Sequence, residues 1–118
     1  MNNQITKNGV VPKTIALIGD IHGDFIWWMN SVTEFNKQGH HTIQIGDFGI
    51  GFKHTDKWNQ LFQTDTETLP VMNSAFVGNH DNPEAAQNSP LFLEKFGYDE
   101  ATDIFWIGGA FSIDQHWR

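Results

Sequence analysis

An α/β fold, with a mainly parallel sheet and flanking helices, is predicted by three features of this 118-residue sequence. Short β-branched apolar runs alternate with stretches of helical spacing, a pattern of parallel strands joined by right-handed crossovers. Three successive apolar runs end alike, in "IGDIHGD", "IGDFG" and "VGNHD". The composition, 39% hydrophobic with five tryptophans and ten phenylalanines, supplies a core. One domain of this size buries roughly two-thirds of the surface that its unfolded chain exposes.

Taken in order, residues 1–11 are polar and read as a flexible N-terminus, leaving 12–118 as the domain. "KTIALIGD" is a buried strand, because it is short, apolar and β-branched. "DFIWWMNSVTEFNKQG" is a helix, with Phe25, Trp28, Val32 and Phe35 at helical spacing and Gly39 as its stop. Trp27 and Trp28 read as rim and core. The His40-His41 pair reads as part of the helix stop, where the dipole favours imidazolium. "HTIQIGD" is the second strand. "TDKWNQLFQ" is a short helix capped by Thr55 or Asp56, and His54 and Trp58 fall in a region read as solvated loop. "PVMNSAFVGNHD" is the third strand. "NPEAAQNSPLFLEKFG" is helical in part, with Pro83 suited to a first turn and Pro90 interrupting. "TDIFWIGGAFSID" closes the chain as two short strands around Gly108-Gly109.

Several classes are excluded or disfavoured. The chain has no cysteine, hence neither a disulfide frame nor a thiolate zinc site. The longest bulky apolar run, "FIWWM", is far short of the ~20 residues of a membrane helix. No cationic start precedes an apolar stretch, so no signal peptide is expected and the cytoplasm is the default location. Seven basic against fourteen acidic residues leave a formal charge of −7. That disfavours an extended nucleic-acid interface and suits cation binding.

The three repeated strand ends bring chemistry together. In a parallel sheet these ends lie along one edge, where α/β proteins bind ligands. They carry Asp20, His22, Asp47, Asn79 and His80. One Gly-Asp after a strand is ordinary turn chemistry. Three in succession are a constellation. Carboxylate, imidazole and amide oxygen together suit Mn²⁺ first, and Fe²⁺, Zn²⁺ or Mg²⁺ as well. A carboxylate on the middle strand is placed to bridge two divalent ions, the clamp used for displacement at phosphorus.

"GDIHGD", "GDFG" and "GNHD", in that order and one βα unit apart, resemble the first three blocks of the metallophosphoesterase, or calcineurin-like phosphoesterase, superfamily. The resemblance is close from Ile15 to Asp81. It extends more loosely through "IGGAFSID", which is similar to a stretch in some bacterial and phage members. It implies half of an α/β/β/α sandwich. It implies a hydrolase acting on a phosphomonoester or phosphodiester, with a phosphate-ester substrate at a dinuclear-type site. Asp20 and His22 would ligate the first metal, Asp47 would bridge, and Asn79 would ligate the second. Asn79 and His80 would meet the substrate, His80 as proton donor to the leaving group. Asp81 would orient His80, and Asp24 would hydrogen-bond the site.

The family has two further histidine blocks, an isolated His and Gly-His-x-His, which "IDQHWR" with its lone His116 does not match. The sequence therefore reads as a truncated domain. Two functions follow as expectations: the phosphoesterase itself, or a remnant serving as a metal- or protein-binding module or as one half of a split enzyme. An uncovered apolar sheet face also predicts a partner, either a homo-oligomer or a complementing second chain, docked on the strands that carry Ile104, Trp106 and Ile107.

Overall fold

A computed structural model of the chain describes residues 3–5, 12, 14–51, 58, 62 and 72–108. Its elements run β1 (Thr14–Ile18), α1 (Phe25–Lys37), β2 (His40–Gln44), β3 (Asn73–Ala75), α2 (Pro83–Gln87), β4 (Phe96–Asp99) and β5 (Ile104–Ile107). The first three strands form one parallel sheet in the order β1-β2-β3, and β4-β5 form a separate antiparallel hairpin. The architecture is α/β.

Register decides which side chains share a face, because strand side chains alternate with period two. Ile18, Gln44 and Ala75 lie side by side and share one face. Ile18 and Ala75 pack there into a core with Phe25, Trp28 and Val32 of α1 and with Phe48, Phe62 and Phe92. The opposite face carries Ile15, Ile43 and Phe76. It packs against Trp106 and Ile104 of β5, Leu93, and Ile5. The sheet is thus covered by a helix on one side and by the hairpin on the other.

Helix α1 forms where its spacing predicts. Asp24 is its N-cap, accepting from the Trp27 backbone N–H at 3.2 Å. Gly39, at φ 85°, ends it in the left-handed region. Trp28 is fully buried and Trp27 is half exposed. Phe35, placed by spacing on the inner face, lies at the surface instead. Helix α2 starts at Pro83 behind Asn82, whose Oδ1 accepts from the N–H groups of Glu84 and Ala85.

Several expectations are corrected. His40 and His41 are not a helix stop but the first residues of β2. His41 is buried and its Nε2 hydrogen-bonds with Ser74 Oγ at 3.0 Å. The helical reading of "NPEAAQNSPLFLEKFG" holds only for Pro83–Gln87. Phe92 beyond it makes a parallel bridge to Ala75, and Phe96-Gly97 open β4. Phe92 is buried in one core and Leu93 in the other, a demand that extended backbone meets and a helix with one apolar stripe does not. β5 pairs with β4 upstream, and the strand expected after Gly108-Gly109 lies outside the described residues. The third strand is shorter than expected. Of "TDKWNQLFQ", only Trp58 and Phe62 are described, both helical, so Thr55, Asp56 and His54 lie outside the described residues.

The N-terminal stretch was expected to be loosely held, yet Ile5 is fully buried. Its N–H donates to Asp99 Oδ1 at 3.0 Å, and its carbonyl accepts from Ser74 Oγ at 3.3 Å. Trp106 points into the second core and is no part of an exposed docking face, whereas Ile107 is 90% exposed. Among the described residues, no helix is long and apolar enough to cross a membrane.

The contrast between the paired tryptophans is testable. Trp28→Ala removes a buried ring and should lower unfolding stability by about 3–5 kcal/mol. Trp27→Ala should change it by less than about 0.5–1 kcal/mol. Urea denaturation of both variants measures the difference, and equal losses would contradict the assignment of faces.

Candidate metal centre

The three parallel strands end at one edge, and each runs into a turn that carries site residues. The turns are knitted by backbone contacts. The His22 N–H donates to the Asp47 carbonyl at 3.0 Å, and the Gly23 N–H to that of Phe48 at 2.8 Å. This approach admits no side chain at Gly49 (φ +97°), where a Cβ would lie 2.4 Å from Gly23 N. A Cβ on Gly78 would lie 2.2 Å from Asp47 N. His22 and Asp47 themselves adopt positive φ, 45° and 50°. Non-glycine residues in that region carry strain of about 1–3 kcal/mol each and cluster at functional sites.

Asp81 locks the second and third turns together. It is fully buried. One of its carboxylate oxygens accepts from Gly49 and Ile50 N–H at 2.6 and 3.3 Å. The other accepts from Phe48 and Gly78 N–H at 3.2 and 2.9 Å. Burial raises its pKa above the usual carboxyl value, and the four donors pull against that shift. Asp81 was expected to orient His80. Both of its oxygens are instead taken up by backbone, because the tight glycine turns direct four N–H groups at one point. The orienting role passes to Asp47. Its Oδ1 accepts from the His80 backbone N–H at 3.0 Å, and its Oδ2 lies 3.2 Å from His80 Nδ1.

Asp47 is the centre of the site. Its Oδ2 is also 3.9 Å from His22 Nε2. The His22 and His80 rings lie 5.3 Å apart. One ligand atom from each of His22, Asp47 and His80 falls within 4.8 Å of the others. Two ligands at ~2.1 Å from one ion stand at most ~4.2 Å apart, so the cluster would draw in slightly around an ion, and the His-Asp-His set matches the borderline divalent metals.

The remaining expected ligands line a cavity that Asp47 shares. A cavity of about 330 Å³ is lined by Asp20, Asp47 and Asn79, by Gly46 and Gly78, and by Ile45, Phe76, Val77 and Ile107. Asp47 thus borders both the imidazole cluster and the cavity that holds Asp20 and Asn79. Asp24 is the N-cap of α1, through its Oδ1. Sequence reasoning placed His80 at the leaving group and missed its membership of the ligand cluster. It also missed the apolar cavity wall, which comes from β5 and from positions just past β2 and β3.

The chain was compared with protein-family models, with curated proteins and with solved structures, and none of the three comparisons returned a match.

If Asp81 holds the turns, Asp81→Asn should destabilise the protein by about 2–3 kcal/mol, because an amide NH₂ would face N–H donors. Gly78→Ala should do at least as much through the clash with Asp47. Urea midpoints test both, and a loss below about 0.5 kcal/mol in either variant would remove the proposed lock.

Proposed function

We propose that the chain is a metal-dependent phosphoesterase. The observation that carries this reading is the position of Asp47, one carboxylate between an imidazole cluster, His22 and His80, and a cavity lined by Asp20 and Asn79. It suits a carboxylate shared between two divalent ions. The fold reading that accompanies it is the metallophosphoesterase-type α/β/β/α sandwich, in which α1, the parallel sheet and the β4-β5 hairpin supply three layers.

Asp20, His22, Asp47 and Asn79 would hold the metal, and His80, whose Nδ1 stands beside Asp47, is left for proton transfer. A divalent ion bound there neutralises phosphate charge and lowers the pKa of a bound water. The protein's own contribution is positioning. Asp47 accepts at the Nδ1 side of His80 and so fixes the tautomer and the ring orientation. As an imidazolium the ring keeps its Nδ1–H on Asp47 and gives its Nε2 proton to the departing alkoxide. The Asn79 amide is a hydrogen-bonding group for a phosphate oxygen. Turns anchored by Asp81 keep these groups from reorganising, which is where electrostatic catalysis gains most.

Calorimetric titration with Mn²⁺ should reveal a site that Asp47→Ala abolishes. Turnover of a chromogenic phosphate ester should vanish in Asp47→Ala, while His80→Ala should lower kcat about 10²–10⁴-fold. No binding heat with Mn²⁺, Zn²⁺ or Mg²⁺ would refute the reading. Metal binding without turnover would instead identify a metal-binding module.

A further inference from the structure

The outward face of the β4-β5 hairpin is apolar and uncovered. Cross-strand register pairs Phe96 with Ile107 and Tyr98 with Phe105. Period-two alternation puts all four on the side away from the second core, and they are 73%, 90%, 42% and 76% exposed. The Tyr98 and Phe105 rings stack at 4.3 Å and 27°. Tyr98 is held by its hydroxyl, which donates to Asp103 Oδ1 at 2.6 Å. This is an ordered aromatic surface. Soluble chains seldom expose contiguous apolar patches of this kind without using them.

Its position shows the use. Ile107 belongs both to this face and to the wall of the cavity that holds Asp20, Asp47 and Asn79. The surface is therefore continuous with the site: Ile107 at the cavity wall, Phe96 paired across from it, then the Tyr98-Phe105 stack one pair further along, roughly 7 Å away. A phosphate held among the polar groups would direct its ester body across Ile107. The chain's −7 charge disfavours a polyanionic body, and a small neutral group suits the apolar face. We propose that the preferred substrate is a phosphate ester whose alcohol carries a planar aromatic ring, seated on Ile107 and Phe96 against the Tyr98-Phe105 stack. This rests on the phosphoesterase reading above and narrows it to a substrate class.

Binding separates ring recognition from leaving-group chemistry. Calorimetry with the Mn²⁺-loaded protein would compare inorganic phosphate, n-butylphosphonate and 2-phenylethylphosphonate. The ring-bearing phosphonate should bind about tenfold more tightly than the butyl one, as aromatic contacts of this kind allow. The preference should fall to about twofold or less in Ile107→Ser and in Phe96→Ser, while phosphate affinity stays unchanged in Phe96→Ser. Both positions are exposed, so the variants should fold, and circular dichroism checks this. Equal affinity of the two phosphonates in the wild type, with phosphate still bound, overturns the ring proposal and leaves the metal site standing. Failure of phosphate to bind overturns both. Light scattering on the same variants supplies the rival outcome. A self-associated protein that dissociates in Ile107→Ser, with an unchanged ring preference, assigns this face to a second copy and refutes the proposal.

Discussion

Four backbone N–H groups meeting one buried carboxylate hold the site edge together. Asp81 accepts from Phe48, Gly49 and Ile50 on one turn and from Gly78 on the next. Buried N–H groups must be paired, and leaving several unpaired costs more than a domain of this size can lose. Because Asp81 follows His80 directly, the bonds that satisfy these donors also set the backbone at His80. That backbone presents the His80 N–H to Asp47 Oδ1. The lock and the cluster are one network, with Asp81 on the buried side and Asp47 on the open side.

The strain in this edge is balanced by what lies beneath it. Phe48 follows Asp47, and its ring is a centre of the main core. It meets Phe25 and Phe62 at 4.9 Å and Trp28 at 5.0 Å. Burying an aromatic side chain of this kind contributes about 1.5–3 kcal/mol, of the same order as the cost of one left-handed residue. The chain thus turns from core to site within one residue, and the core side chain anchors the strained one. The same economy holds at the hairpin. Trp106 fills the second core and donates its Nε1–H to the Glu94 carbonyl at 2.7 Å. Its neighbour Ile107 faces the cavity. Gly97 opposite Trp106 is required, since a Cβ there would lie 2.3 Å from the indole ring.

What the sequence by itself determined is the part governed by local rules. Period and composition identify β1, α1 and β2, because an apolar β-branched run and a 3.6-residue stripe need no distant partner to be recognised. Asp20, His22, Asp47, Asn79 and His80 are legible as a group, because three glycine-punctuated strand ends must share an edge of a parallel sheet. The tertiary structure decided the rest. His40 and His41 enter a strand because pairing with β1 outweighs their place after a helix. Phe92 and Leu93 are extended because two cores claim adjacent residues, one on each side. The division of labour among the site residues was equally hidden. Asp81 serves the backbone, Asp47 takes over His80, and Asp20 and Asn79 lie across a cavity that β5 helps to wall. Each of these depends on which donors and apolar surfaces arrive from elsewhere in the chain. Side-chain identity sets what a residue can bind, but only the packed neighbours determine which partner is within reach.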